Sequence, residues 1–113
     1  MLKKMIIEKA TTEIKKQVKH FSQKMQLEYK NITLRDQKTR WGSCSSHKNL
    51  NFNWRLIMAP EAVLSYVVIH ELAHLVQMNH SRKFWELVEK FDPDYREHRR
   101  WLKKHQAVLQ SGV

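Results

Sequence analysis

His70, Glu71 and His74 stand as H-E-x-x-H inside a stretch otherwise made largely of Val, Leu, Ile and Ala, and that placement constrains the chain more than any other feature. Val63, Leu64, Val67, Val68, Leu72, Leu75 and Val76 recur at helical spacing and predict a central helix with a wide apolar face. Pro60 suits its first position and Glu61 its first turn. The pattern carries the helix to about residues 77–79 and puts the motif in its middle. Three titratable groups there need partners, because burying a polar group without one costs roughly 1–3 kcal/mol. Residues four apart lie one turn above each other, so the imidazoles of His70 and His74 can reach one metal ion, at about 2.0–2.1 Å for zinc. Glu71 projects about 100° around the helix, where it can hold a water without binding the metal. With seven His in 113 residues, a random chain of this composition would contain roughly 0.03 such motifs.

A catalytic zinc ion usually has three protein ligands and a water. His80 follows His74 by six residues, about 240° away on a continuous helix. It shares the ion only if the helix stops after Gln77 and the chain folds back, with Asn79 in a left-handed turn and Ser81 capping the next helix. His80 is therefore the leading third ligand, with Glu86, Glu89, Asp92, Asp94 and His98 as its rivals. His20, His47 and His105 read as surface residues. Zinc would polarise a carbonyl and acidify a bound water, while Glu71 takes the proton and hands it to the leaving amine, which is amide hydrolysis. The oxyanion stabiliser is open among Tyr95, His98, Tyr66 and Arg40, with Tyr95 taken first.

The rest of the chain supplies an α+β frame. Ile6, Ala10, Ile14, Val18, Phe21 and Met25 form one stripe of a long N-terminal helix over about residues 3–27. Residues 31–35 alternate as a short strand. Two more alternating runs, 40–45 and 50–54, flank the polar tetrapeptide Ser46-His47-Lys48-Asn49 and predict a hairpin, so the sheet has three strands. Gly42 inside the first run marks a bulge or a close approach to the backbone. After the central helix, Ser81 starts a helix carrying Phe84, Trp85, Val88 and Phe91. Asp92 and Pro93 start another, with Tyr95, Trp101, Leu102 and Leu109 on its buried side. The order is a long helix, a small sheet, the motif helix and two C-terminal helices in one domain over 1–113. Tyr66-Val67-Val68-Ile69 is as long as a wholly apolar run gets, so no membrane span is expected. The single Cys44 and the early charges argue for a cytoplasmic protein.

Several blocks together resemble the YgjP-like metallopeptidase family: residues 39–45 (Thr-Arg-Trp-Gly-Ser-Cys-Ser), residues 53–60 (Asn-Trp-Arg-Leu-Ile-Met-Ala-Pro), the motif helix from Val67 to Leu75, Asn79-His80-Ser81 with Phe84-Trp85, and Pro93-Asp94-Tyr95 with Trp101-Leu102. The family is similar to the SprT/Spartan and WLM proteases and, more distantly, to minimal gluzincin-type peptidases. The resemblance implies one zinc ion per chain held by His70, His74 and His80, with Glu71 as base and a three-stranded sheet beside the motif helix. It also implies an edge strand that pairs with extended peptide or protein substrate. Residues Arg40, Trp41, Gly42, Ser43, Cys44 and Ser45 are that candidate, against the plainer reading of a hairpin packed by Trp41. Cys44 fits a small buried residue better than a nucleophile. Many relatives carry further strands before the first long helix, so the chain is expected to lack an N-terminal extension. The His-to-His spacing also matches metzincins, but Gln77 occupies their glycine position.

Charge adds an alternative. Twenty-one Lys and Arg against eleven Asp and Glu give +10. Such a surface attracts DNA or another polyanion, through Lys15, Lys16 and Lys19 at one end and Arg96, Arg99, Arg100, Lys103 and Lys104 at the other. A nucleic-acid-associated module and a structural zinc domain without turnover therefore stand beside the peptidase.

Overall fold

The stripe of Ala10, Ile14, Val18 and Met25 produces helix α1 (Leu2–Met25), with those residues buried and the neighbouring lysines exposed. The computed structural model describes residues 2–37 and 40–107; Thr39 and Leu109 of the sequence reading lie outside them. Gln26 ends α1 with a left-handed φ of 57°, and the N–H groups of Gln26 and Leu27 return to the carbonyls of Gln23 and Ser22. These bonds satisfy carbonyls that a helix end leaves orphaned.

Three short strands follow: β1 (Asn31–Arg35), β2 (Gly42–Cys44) and β3 (Asn49–Asn53). β3 is central, parallel to β1 from Asn31↔Asn49 to Arg35↔Asn53, and antiparallel to β2 from Gly42↔Phe52 to Cys44↔Leu50. The expected hairpin is therefore present, although its first strand is shorter than 40–45. Ser45 Oγ accepts from the N–H groups of His47 and Asn49, and Lys48 takes the left-handed turn position. Leu50 and Phe52 point from β3 into the core.

A 3-10 turn at Trp54–Met58, not foreseen from the sequence, joins the sheet to the next helix. Asn53 caps it by accepting from the Arg55 N–H. The turn buries the Arg55 side chain to 1% exposure, with the Trp54 ring under its guanidinium at 4.6 Å and Asp36 Oδ1 at 2.5 Å from Nη1. Asp36→Asn strands that guanidinium. Breaking a buried pair costs about 3–5 kcal/mol, but Asp36 is 46% exposed and water offsets part of this. The expected loss is therefore about 1–2 kcal/mol, read by urea unfolding at pH 7. The Arg55 hydrogen bond holds the Asp36 carboxyl below its ordinary value of 3.8. Its contribution is thus fully present above that value and fades as pH falls through the lowered one, so wild type and variant should converge in acid.

Helix α2 (Glu61–Ala73) buries Val63, Leu64, Tyr66, Val67, Val68, Ile69, Leu72 and Ala73. That near-complete girdle arises because α1, β2, α3 and α4 all pack on it. Pro60 sits at the cap rather than the first helical position. Helix α3 (Arg82–Phe91) starts at Ser81, whose Oγ accepts from the Phe84 N–H. Helix α4 (Tyr95–Lys104) begins later than expected, because Asp92 closes α3 and its Oδ1 accepts from the Asp94 N–H. The result is the α+β arrangement of four helices around a small mixed sheet. No helix among the described residues is long and apolar enough to cross a membrane.

Candidate metal centre and catalytic cleft

The motif lies at the end of α2, not in its middle. His74 is the C-terminal cap, and its N–H reaches the carbonyls of both His70 and Glu71. Leu75 and Val76 then bond three residues back, to Leu72 and Ala73, which tightens the last turn and ends the helix. Leu75 and Val76 prolonged the apolar period in the sequence, but Val76 is 52% exposed. Asn79 takes no left-handed conformation; Gln26 and Lys48 are the non-glycine residues that do, among the described residues.

The early stop folds His80 back over the helix end. His74 Nε2 and His80 Nε2 are 3.1 Å apart, and His80 Nε2 and His70 Nε2 are 3.4 Å apart. All three donor atoms lie within 4.8 Å of one another. Two nitrogens bound at about 2.0–2.1 Å to one tetrahedral ion stand about 3.3 Å apart, so the spacing fits a single cation. The ring tautomers fit as well. His74 Nδ1 contacts the Gln77 carbonyl at 3.0 Å, and a carbonyl only accepts, so Nδ1 carries the proton and Nε2 a lone pair. Tyr66 Oη meets His70 Nδ1 at 3.0 Å; with Nδ1–H donating to it, His70 Nε2 is also a free donor to metal.

Helix α3 cages these rings. Phe84, fully buried, stacks on His74 at 4.4 Å, and Trp85 stacks on His80 at 5.7 Å and on Tyr95 at 5.2 Å. Burial pushes His70 down to about 3, helped by the neighbouring His74, His80 and Arg99 charges. Burial likewise lowers His74. Both rings are therefore neutral at neutral pH, the form that binds metal.

Glu71 is 5% exposed, and its carboxylate makes no hydrogen bond among the described residues. Burial raises it to about 8, with Arg40 partly opposing. A cation beside it favours the ionised form. Strand β2 lies directly on this side chain: a Cβ at Gly42 would sit 3.1 Å from Glu71 Oε2 and 3.1 Å from the Asn51 carbonyl. The close neighbour that Gly42 accommodates on this face is thus Glu71 itself.

A cleft of about 390 Å³ opens here, walled on one side by Arg40, Gly42, Ser43 and Cys44. The three histidines, Glu71 and Met78 wall the other. Behind Gly42, a second cavity of about 180 Å³ runs between Trp41, Tyr66, Val67 and Leu102 and shares Gly42, His70 and Glu71 with the cleft. Trp41 faces this second cavity, and Ser45 is occupied in the hairpin turn. Burial raises the Cys44 thiol to about 11, so it is neutral at pH 7. Tyr95 is buried against Trp85, off the cleft wall. His98 is held by Asp92, Nδ1 to Oδ2 at 2.7 Å, and Tyr66 is engaged by His70. Of the four oxyanion candidates, Arg40 is the one that lines the cleft. Glu86 and Glu89 pair with Arg82 and Arg96, and none of the rival third ligands joins the histidine cluster. His20 and His47 are exposed, whereas His105 is half-buried and stacks on Trp101 at 3.9 Å. Tyr66 and Trp85 as supports of His70 and His80 were not recognised in the sequence; the i to i+4 spacing of Tyr66 and His70 was a usable signal for the first.

A helix that ends in H-E-x-x-H, a third imidazole folded onto that end and a strand edge beside a buried glutamate are the features of a metallopeptidase. The chain belongs to the YgjP-like family: the family model for the YgjP-like metallopeptidase domain matches residues 1–105. Among solved structures it is similar to the metallopeptidase zymogen abylysin of Pyrococcus abyssi, with 25% identity and a TM-score of 0.71 over 82% of this chain and 95% of that one. The metallopeptidase zymogen jannalysin of Methanocaldococcus jannaschii has the same fold, with 24% identity and a TM-score of 0.71 over 81% of this chain and 95% of that one. No curated protein matches the chain.

Proposed function

We propose that this chain is a zinc-dependent endopeptidase in which His70, His74 and His80 hold one zinc ion and Glu71 is the general base. The observation that carries the reading is the convergence of three imidazole nitrogens, at 3.1 and 3.4 Å, beside a buried glutamate on the wall of the cleft. Zinc, when bound, supplies Lewis-acid polarisation of the substrate carbonyl and a water whose pKa falls to about 7. The Gln77 carbonyl, the Tyr66 hydroxyl and the Trp85 ring hold the three imidazoles in place. Glu71 takes a proton from the attacking water on its carboxylate and returns it to the leaving amine. β2 pairs only with β3 among the described residues, so its other edge offers backbone N–H and C=O groups to an extended peptide. A structural site without turnover would need its fourth position closed by protein, and no fourth His, Cys, Asp or Glu joins the cluster among the described residues.

Protein purified without a polyhistidine tag is expected to carry about one zinc per chain. Chelation should abolish hydrolysis of an unfolded protein substrate, and stoichiometric zinc should restore it. Elemental analysis with a cleavage assay on the same sample decides it. A folded, metal-free protein at neutral pH without chelator, with no affinity for added zinc, rules the reading out.

A further inference from the structure

The cleft carries positive charge that forms no ion pair among the described residues. Arg40 lines it from the β2 side, is exposed, and makes no ion pair or side-chain hydrogen bond among the described residues. Arg99 approaches from α4. Its guanidinium lies 4.4 Å over the Trp85 ring, the ring that stacks on His80, and it has no carboxylate partner among the described residues. The same surface of α4 carries Arg96, Arg100 and Lys103, which with Arg99 line a concavity of about 370 Å³. Arg96 is paired, with Glu89 at 3.6 Å, but both are exposed and such a pair exchanges readily for another. Acidic groups facing the centre are few: Glu71 is buried and reserved for the chemistry, and Asp92 is held by His98.

We propose that the site selects peptides with acidic residues close to the bond to be cut, met by Arg40 from the sheet side and by Arg99 and its α4 neighbours from the other. The inference rests on the peptidase reading and names its substrate class. The net charge of +10 draws acidic chains to the whole surface, but Arg40 on the cleft wall and Arg99 over the Trp85 ring that stacks on His80 set the preference beside the histidines. An acidic peptide suits this better than nucleic acid. Arg40 belongs to a cleft of about 390 Å³, which an extended peptide can enter and a duplex cannot.

The test uses matched fluorogenic peptides with Glu, Gln or Lys flanking one scissile bond. It compares wild type, Arg40→Gln, Arg99→Gln, the double variant and Lys15→Gln as a remote control. Both arginines are exposed, so circular dichroism should show intact folds. The expected result is about a tenfold higher kcat/KM for the Glu peptide than for the Gln peptide at low salt, shrinking as salt rises. The preference should reside in KM and fall to about twofold in the double variant, while the control keeps it. Binding of a fluorescein-labelled Glu-rich peptide to the Glu71→Gln variant, followed by anisotropy, gives a readout free of turnover. Equal kcat/KM for Glu and Lys peptides overturns the inference, as does a preference that survives in the double variant. A DNA duplex that displaces the peptide more tightly than unlabelled peptide itself also overturns it. If zinc-loaded protein cleaves no peptide but binds the acidic one through Arg40 and Arg99, the peptidase reading fails and the recognition stands.

Discussion

Glu71→Gln is expected to keep about one zinc per chain and lower kcat by roughly 10³-fold, within the range that positioned general acid–base groups supply. The two effects separate because Glu71 lines the same cleft as the three proposed ligand histidines without being among them. Glutamine has the same length, so it fits the space beside Gly42 that the glutamate occupies. Its amide has no basic oxygen to take a proton from water or to pass one to the leaving amine. Neither neighbouring group is poised to replace it: the Cys44 thiol is held neutral, and His98 is bound to Asp92 and does not line the cleft. Stability should change little, because the carboxylate has no hydrogen-bond partner among the described residues to lose and its burial already disfavours charge. The measurement is kcat with metal content on one preparation. Turnover within tenfold of wild type, with zinc retained, would remove Glu71 from the mechanism.

Much of the frame could be read from the sequence because its signals are local. The spacing of Ala10, Ile14 and Val18 encodes α1, and the alternation of residues 31–35 encodes β1. H-E-x-x-H places two imidazoles one above the other whatever the surroundings. What stayed hidden depended on contacts between distant parts. The end of α2 could not be found from its apolar period, since Leu75 and Val76 continue it; the helix stops because its last carbonyls are taken up in tightened turns and by the His74 cap. Nothing local marks Arg55, between Trp54 and Leu56, as a buried cation; its partner Asp36 lies nineteen residues earlier in the chain. The partner of Gly42 is likewise remote, the glutamate of the motif itself.

The same distinction applies to the proposed third ligand, His80. Sequence spacing could say only that His80 must leave the helical path to share an ion with His70 and His74. Its position is fixed by groups from two other places: the Trp85 ring of α3 stacked on it, and the Gln77 carbonyl that orients His74 opposite. Ser81, immediately after His80, starts α3 and so delivers Phe84 and Trp85 to the site. The Ser81 cap and the stacking of Trp85 on His80 are thus set by one short stretch of chain.

His80→Ala is accordingly expected to weaken zinc binding by more than about 100-fold and to abolish hydrolysis at micromolar zinc. Loss of a supporting partner one step removed from a metal typically costs 10–100-fold, and loss of a ligand nitrogen costs more. The metal-free variant should nevertheless fold. His80 is exposed, Phe84 keeps its stacking on His74 when the edge-on contact with His80 is lost, Val88 and Leu72 remain buried, and the Ser81 cap remains. Its stability without metal should lie within about 0.5 kcal/mol of the metal-free wild type, as for other surface substitutions. With zinc present the two should diverge, because a cation that binds only the native state stabilises it in proportion to the logarithm of its occupancy. Competition with a chromophoric chelator measures the affinity, and thermal unfolding with and without zinc measures the linkage. Unchanged zinc affinity in His80→Ala would show that the three imidazoles do not act together on one ion, and the peptidase mechanism built on them would have to be abandoned.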